Sequence, residues 1–451
     1  MRLHPVGRDW IFLTVGAAAM LLAVLVPRLL PGGRDAAPDL CGRGELLVAG
    51  GTDVSLNDRR LQLISEWNSG AADRPGRLKA RLVEVSPSAD EQYSEMKAAL
   101  EARGCAYDVL ITDNTWTAQF AELGYLRPLG KAADADFIPA GLATGRRDGT
   151  QYALPFNLDV GLLYAKRGQA APADWPALLA GPTVTQLADR EGLTVNALEA
   201  VWNDGDPRFA GSRRPSVGEL RTSVFPAVRR LAERVRSSPT LRGSLSDDEQ
   251  ASIEAFENGA PGAPRLMRNW PYAFFSLAAT PSLRDGAGLA FQVSALPGRT
   301  VLGGQNLAIA KDSPHPAEAR ALIDFLTSAG AERDLFACGG FAPSRYSALG
   351  LRPPDRVSPG DVRVEACRPS GGGTPAQEET VLPDRAQLTR LGQVIVQALA
   401  RAQPRPQSVH YASFSATFRG CVAKMAGGGR VDAASFAEAV DRSLDGRTAS
   451  C

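Results

Sequence analysis

Apolar positions recur along this chain with two periods. Glu45-Leu-Leu-Val-Ala-Gly50 is a continuous apolar run closed by Gly50-Gly51, which reads as a buried strand. Arg81 to Val85 and Asp108 to Thr112 read as a second and a third strand. Between them the spacing becomes helical: Leu61, Ile64 and Trp67 share one face of 57–68, and a second helix runs from Glu91 to Arg103. Strands alternating with helices of this length predict a parallel sheet with helices on both faces. Ligands of such sheets sit beyond the carboxyl ends of the strands, which places Thr52-Asp53 and Asp113 to Trp116 at the mouth of a cleft.

After a strand at Val160–Tyr164 the pattern changes, and helices are expected to dominate from Val184 to Leu277. Ser246-Asp-Asp-Glu249 has the form of a capping box opening one of them. Strand pattern returns at Leu289–Leu296 and Gly304–Ala310, followed by an amphipathic helix, Pro316–Ser328, with Ala319, Leu322, Ile323 and Leu326 on one face. Arg368–Pro383 is expected to be a surface loop, and three helices near 384–402, 413–425 and 432–445 end the chain. The predicted fold class is α/β and two-lobed. Residues 44–156 and 290–341 form lobe I, residues 157–289 and 342–451 form lobe II, and hinge crossings lie near 155, 297 and 342.

The N-terminus adds a different element. Trp10 to Val26 carries no charge and, continued to residue 30, approaches the roughly 20 residues that cross a bilayer. Arg2 and Arg8 precede it, favouring a cytoplasmic tail over 1–9, a transmembrane helix over 10–30 and a linker over 31–43. A removable signal peptide is the rival reading, although no small-x-small cleavage site is well placed. An extracytoplasmic body permits disulfides, and the six cysteines pair most simply as Cys41–Cys105, Cys338–Cys367 and Cys421–Cys451, with free thiols as the alternative. The histidines, His4, His315 and His410, and the absence of Cys-x-x-Cys argue against zinc, and no cofactor is expected. A formal net charge of +1, with acids and bases interspersed, shows no nucleic-acid footprint. No Gly-x-Ser-x-Gly or His-Glu-x-x-His string is present, so an enzyme is not expected.

Four strings place carboxylates, amides or rings where strands end or the backbone turns: Asp108 to Trp116, Ala153 to Asp159, Met267 to Tyr272, and Leu302 to Leu307. Together with Phe120 to Leu129, Gly339 to Arg345 and Pro404-Arg405-Pro406 followed by Tyr411 and Ser415, they resemble the solute-binding proteins of bacterial carbohydrate ABC importers, the trehalose/maltose type above all. The resemblance spans about 44–445. It implies the two-lobed fold of periplasmic binding proteins (class II) and a monomeric receptor that hands a sugar to ABC permease subunits. A membrane-anchored relative that senses without importing is the alternative. Carried over residue by residue, the implied ligand contacts are Asp53, Asp113, Trp116, Asn157, Asp159, Trp270, Tyr272, Gly303, Gly304 and Arg345. Gln305 stands where many members have tryptophan, replacing a stacking platform by an amide. Several contacts have a plainer reading: Trp270 and Tyr272 as core aromatics, Asp113 as a helix cap, Asp159 as a turn residue, Gly303 and Gly304 as a bulge. Glu191 is read as a capping or exposed residue outside the site.

Overall fold

The computed structural model describes residues 41–42, 44–55, 58–72, 77–130, 135–286, 288–352, 357–367, 382–447 and 449–451. The expected tail, transmembrane helix and most of the linker lie outside these residues, as does most of the 368–383 loop. No helix among the described residues is long and apolar enough to cross a membrane. Every element below belongs to one compact unit, Gly44–Cys451.

Ten strands carry the architecture: β1 (Glu45–Gly51), β2 (Lys79–Val85), β3 (Val109–Asp113), β4 (Ala153–Val160), β5 (Leu162–Lys166), β6 (Thr183–Val184), β7 (Leu266–Asn269), β8 (Phe291–Ala295), β9 (Thr300–Ile309) and β10 (Ala402–Pro404). The first sheet runs β10-β9-β3-β1-β2, with β4 on the other side of β9. β1 is parallel to β2 and β3, as the alternation predicts, whereas β9 runs antiparallel to β3 and β4. The second sheet runs β8-β5-β7-β6. Its strands β6 and β7 lie in the stretch expected to be helical. At two and four residues, and buried throughout, they are too short to show alternation.

The helix Arg59–Ala72 buries Leu63, Ile64 and Trp67 against the first sheet, while Leu61, expected on that face, is 52% exposed. Likewise Ser246 is not a cap. Asp248 accepts from the Ala251 amide at 3.0 Å and opens the helix Glu249–Glu257. Trp67, Trp175 and Trp202 are core residues. Cys338 is bonded to Cys367 and Cys421 to Cys451. Cys41 and Cys105 are disulfide-bonded as well, and no described cysteine is free.

The chain passes between the sheets at Gly161, where β4 runs on into β5, and again between β8 and β9. Lobe I was expected to resume at residue 290, but β8 pairs with β5 across Phe291–Lys166 to Ala295–Leu162, so the return comes at Leu296–Arg299. A third contact between crossings is the Leu158 amide on the Ala342 carbonyl at 2.7 Å.

One buried network pins the first two crossings together. Glu199, fully buried on the helix Glu191–Asp204, accepts from Arg268 Nη2 at 2.7 Å and Nε at 3.1 Å, from Thr300 Oγ1 at 3.0 Å and from the Val301 amide at 3.1 Å. The Gly161 amide donates to Thr300 Oγ1 at 2.8 Å. A Cβ on Gly161 would lie 2.7–2.8 Å from Thr300, Arg268 and Glu199, so only glycine fits. Removing one partner of such a pair strands the other charge in the core. Glu199→Ala is therefore expected to lower stability by about 3–5 kcal/mol in urea unfolding. A loss below about 1 kcal/mol would show that the network does not hold the crossings.

Candidate functional site

The register of the first sheet sets the floor of a cleft. β9 pairs Gln305 with Asp113 on one side and with Asn157 on the other, and Gly303 with Asp159. Asp113 ends β3 and folds the next turn onto itself: its Oδ1 accepts from the Thr115 amide at 2.8 Å and hydroxyl at 2.7 Å. Gly304 has φ +119° and a Cβ there would meet the Asn157 carbonyl at 2.3 Å, so the bulge between Gln305 and Asn306 requires glycine.

Arg405, immediately after β10, reaches this floor from the C-terminal segment. Its Nη2 donates to both Asp113 oxygens at 2.8 and 2.9 Å and to Asn114 Oδ1 at 2.9 Å, and its Nη1 donates to Glu191 Oε1 at 2.8 Å. Glu191, first residue of its helix, also accepts from the Tyr411 hydroxyl and from Ser415 Oγ at 2.6 Å. Burial draws the Arg405 pKa down, but Asp113, Tyr411 and Glu191 outweigh it and hold the guanidinium charged. Burial raises the Glu191 pKa against the pull of that same arginine.

The walls bring rings and acids together. A Cβ at Gly303 would lie 3.2 Å from Asp159 Cβ and 3.6 Å from Trp270 Cη2, so the absent side chain is what lets Asp159 and the indole converge. Trp270 follows β7, has the Arg268 guanidinium 3.9 Å from its ring centre, and donates Nε1 to Glu249 at 3.5 Å. Asp159 Oδ1 is buried with no partner, as is Asn157 Oδ1, and the Asn157 amide reaches Asp159 Oδ2 only at 3.4 Å. Burial pushes the Asp159 carboxyl up to about 7, opposed by Arg60 and reinforced by Asp113. Arg60 Nη2 donates to Gln305 Oε1 at 2.6 Å and its guanidinium lies 4.9 Å from the Phe341 ring centre. Burial pulls the Arg60 pKa down against the fields of Asp53, Asp159 and Glu84.

These groups surround a cleft of about 310 Å³ lined by Arg60, Gln92, Asp113, Trp116, Asp159, Gln305 and Phe341 from one side and by Arg190, Glu191, Asp248, Glu249, Trp270 and Tyr272 from the other. The sequence profile of the bacterial extracellular solute-binding proteins matches residues 80–355. The chain belongs to that family. A probable ABC transporter-binding protein of Deinococcus radiodurans is 26% identical over 290 residues, 55% of this chain and 65% of its own length, so less than two thirds of that relative is matched. Among solved structures, maltose-bound MalE3 of T. maritima superposes with a TM-score of 0.69 at 20% identity over 89% of this chain and 99% of its own. The tagatose-bound solute-binding protein of Thermotoga lettingae gives 0.69 at 17%, covering 89% and 100%. The GacH receptor of Streptomyces glaucescens gives 0.65 at 18%, covering 90% and 99%. At such identities the likeness is one of fold: the two-lobed α/β fold of solute-binding proteins.

Within this solute-binding protein, six of the residues singled out from sequence line one cleft: Asp113, Trp116, Asp159, Trp270, Tyr272 and Gln305. Asn157, Gly303 and Gly304 are not among the lining residues but adjoin them on β4 and β9. Two others are placed differently. Asp53 caps the helix Arg59–Ala72 region, accepting from the Ser55 amide at 2.9 Å and the Arg60 amide at 2.8 Å. Arg345 lies outside the cleft, where its side chain meets the Thr327 carbonyl, Asp136 at 3.3 Å and the Phe137 ring at 3.8 Å. Glu191, set aside from sequence, lines the cleft; its place at a helix start hides a buried ion pair behind the look of a cap. Arg60 and Glu249 gave no signal beyond their positions in first helical turns.

An acid whose folded pKa is raised binds a proton in the native state that the unfolded chain has released. Its contribution to stability is complete below about pH 4 and is lost as pH rises through about 7. The wild-type melting temperature is thus expected to fall more steeply between about pH 5 and pH 8 than that of Asp159→Asn. Parallel curves would contradict the burial of a bare carboxylate.

Proposed function

We propose that this protein is an extracytoplasmic receptor that closes around a sugar and presents it to ABC permease subunits, tethered through its apolar N-terminal segment. The observation that carries the reading is Asp159: a carboxylate that lines the cleft with Trp270 and Gln305, faces Gly303 across the sheet, and has a buried Oδ1 without a donor. Hydroxyl-rich ligands supply donors to such an oxygen, and charge-assisted bonds of this kind are about twice as strong as neutral ones. Trp270 and Tyr272 offer flat apolar surface to the C–H face of a pyranose, worth about 25 cal/mol per Å² covered. A cleft of about 310 Å³ lies at the small end of ligand sites, which suits one or two rings rather than a long oligosaccharide. Solved structures of the same fold hold maltose and tagatose, and the curated relative bears an ABC transporter-binding description.

The raised Asp159 carboxyl invites a general-acid reading. Its would-be partner Asp113, however, is engaged on both oxygens by Arg405 and leaves no free base. Binding without turnover is the better account.

Calorimetric titration of the full chain against neutral mono- and disaccharides tests the proposal, with dissociation constants below millimolar expected for at least one. Trp270→Ala should weaken that binding at least about tenfold, or 1.4 kcal/mol. The absence of heat with every sugar, or an affinity indifferent to Trp270, would contradict it.

A further inference from the structure

The charged groups around the cleft do not cancel. Asp113 and Glu191 share one cation, Arg405. Asp248 is 3.7 Å from Arg190. Arg60 is occupied by the Gly51 carbonyl at 3.3 Å and by Gln305, with Asp53 at 4.0 Å. That leaves Asp159 and Glu249. Among the described residues neither takes part in an ion pair, and they flank the same indole: Asp159 beside the Cη2 corner of Trp270 above Gly303, Glu249 at its Nε1. The one guanidinium against that ring, Arg268, is committed to Glu199 at 2.7 and 3.1 Å. Arg60, Arg268 and Arg405 act on Asp159 only at longer range.

We propose that the preferred ligand is an aminated sugar whose ammonium group sits at Trp270 between the Asp159 and Glu249 carboxylates. This rests on the sugar reading above and narrows it to a charge class. A neutral hydroxyl donates one hydrogen bond to Asp159 and leaves the negative charge of both acids buried in the closed cleft. An ammonium donates up to three bonds and neutralises part of that charge where the surroundings screen it least. The indole adds a cation–π attraction, which grows as water is excluded. Burial raises the Asp159 pKa against the fields of Arg60, Arg268 and Arg405, and an adjacent ammonium would add the field that keeps the group ionised. The same geometry disfavours an acidic sugar, whose carboxylate would enter beside two unpaired acids.

The test compares three disaccharides of one linkage that differ only at carbon 2: cellobiose with hydroxyls, the glucosamine dimer with ammonium groups, and N,N′-diacetylchitobiose with neutral amides. Each is titrated by calorimetry into the full chain, solubilised with mild detergent, at about pH 7 and low salt. The glucosamine dimer is expected to bind at least about tenfold tighter than cellobiose, and the acetylated dimer no tighter than cellobiose. Asp159→Asn and Glu249→Gln, each checked for a cooperative melt, should cut the preference for the amine to about threefold or less. Equal affinity for the amine and for cellobiose, or a preference unchanged in both variants, overturns the proposal while leaving a neutral-sugar receptor standing. Failure of every sugar, charged or neutral, overturns both readings.

Discussion

The site depends on one buried cation. Arg405 is 3% exposed and divides its guanidinium between Asp113, at the end of β3 in the first sheet, and Glu191, at the head of a helix beside the second. A buried charge without partners costs several kcal/mol, so each carboxylate is obligatory to the other two members of the triad. The arrangement sets where the floor of the cleft lies relative to both lobes. It also engages Asp113 and Glu191, so that Asp159 and Glu249 are the cleft acids in no ion pair among the described residues.

A second buried pair does the corresponding work behind the wall. Arg268 and Glu199 knit the crossing at Gly161 to the start of β9 and place a guanidinium under Trp270. The wall and the hinge region therefore share atoms, and a shift at one is felt at the other. A ligand drives closure only through contacts stronger in the closed form.

Much of this was legible in the sequence, and unevenly so. The first sheet announced itself because β1 and β3 are apolar runs and helices separate β1, β2 and β3. The second sheet did not, since β6 and β7 are short and fully buried, and a buried strand of four residues has no pattern that distinguishes it from helix. Asp113, Asp159, Trp270 and Tyr272 stood out because they sit in the strings that carry the family resemblance, at or near strand ends and turns. Arg345 was misleading. An arginine at a chain crossing suits a ligand contact equally well, but here the buried Glu332 organises the crossing. It accepts from the Ser344 amide at 2.6 Å and the Arg345 amide at 2.8 Å, and burial pushes its carboxyl up to about 8. The partnership of Arg405 with Glu191 was beyond reach, since 214 residues separate them and each sits in an ordinary local context.

The measurement that bears most directly on this account is ligand affinity in Arg405→Met, taken by calorimetry on the full chain with whichever sugar the wild type binds best. If the shared guanidinium sets the cleft, affinity drops at least about tenfold while the melt stays cooperative. Affinity within about twofold of wild type would mean that the floor is held by something else.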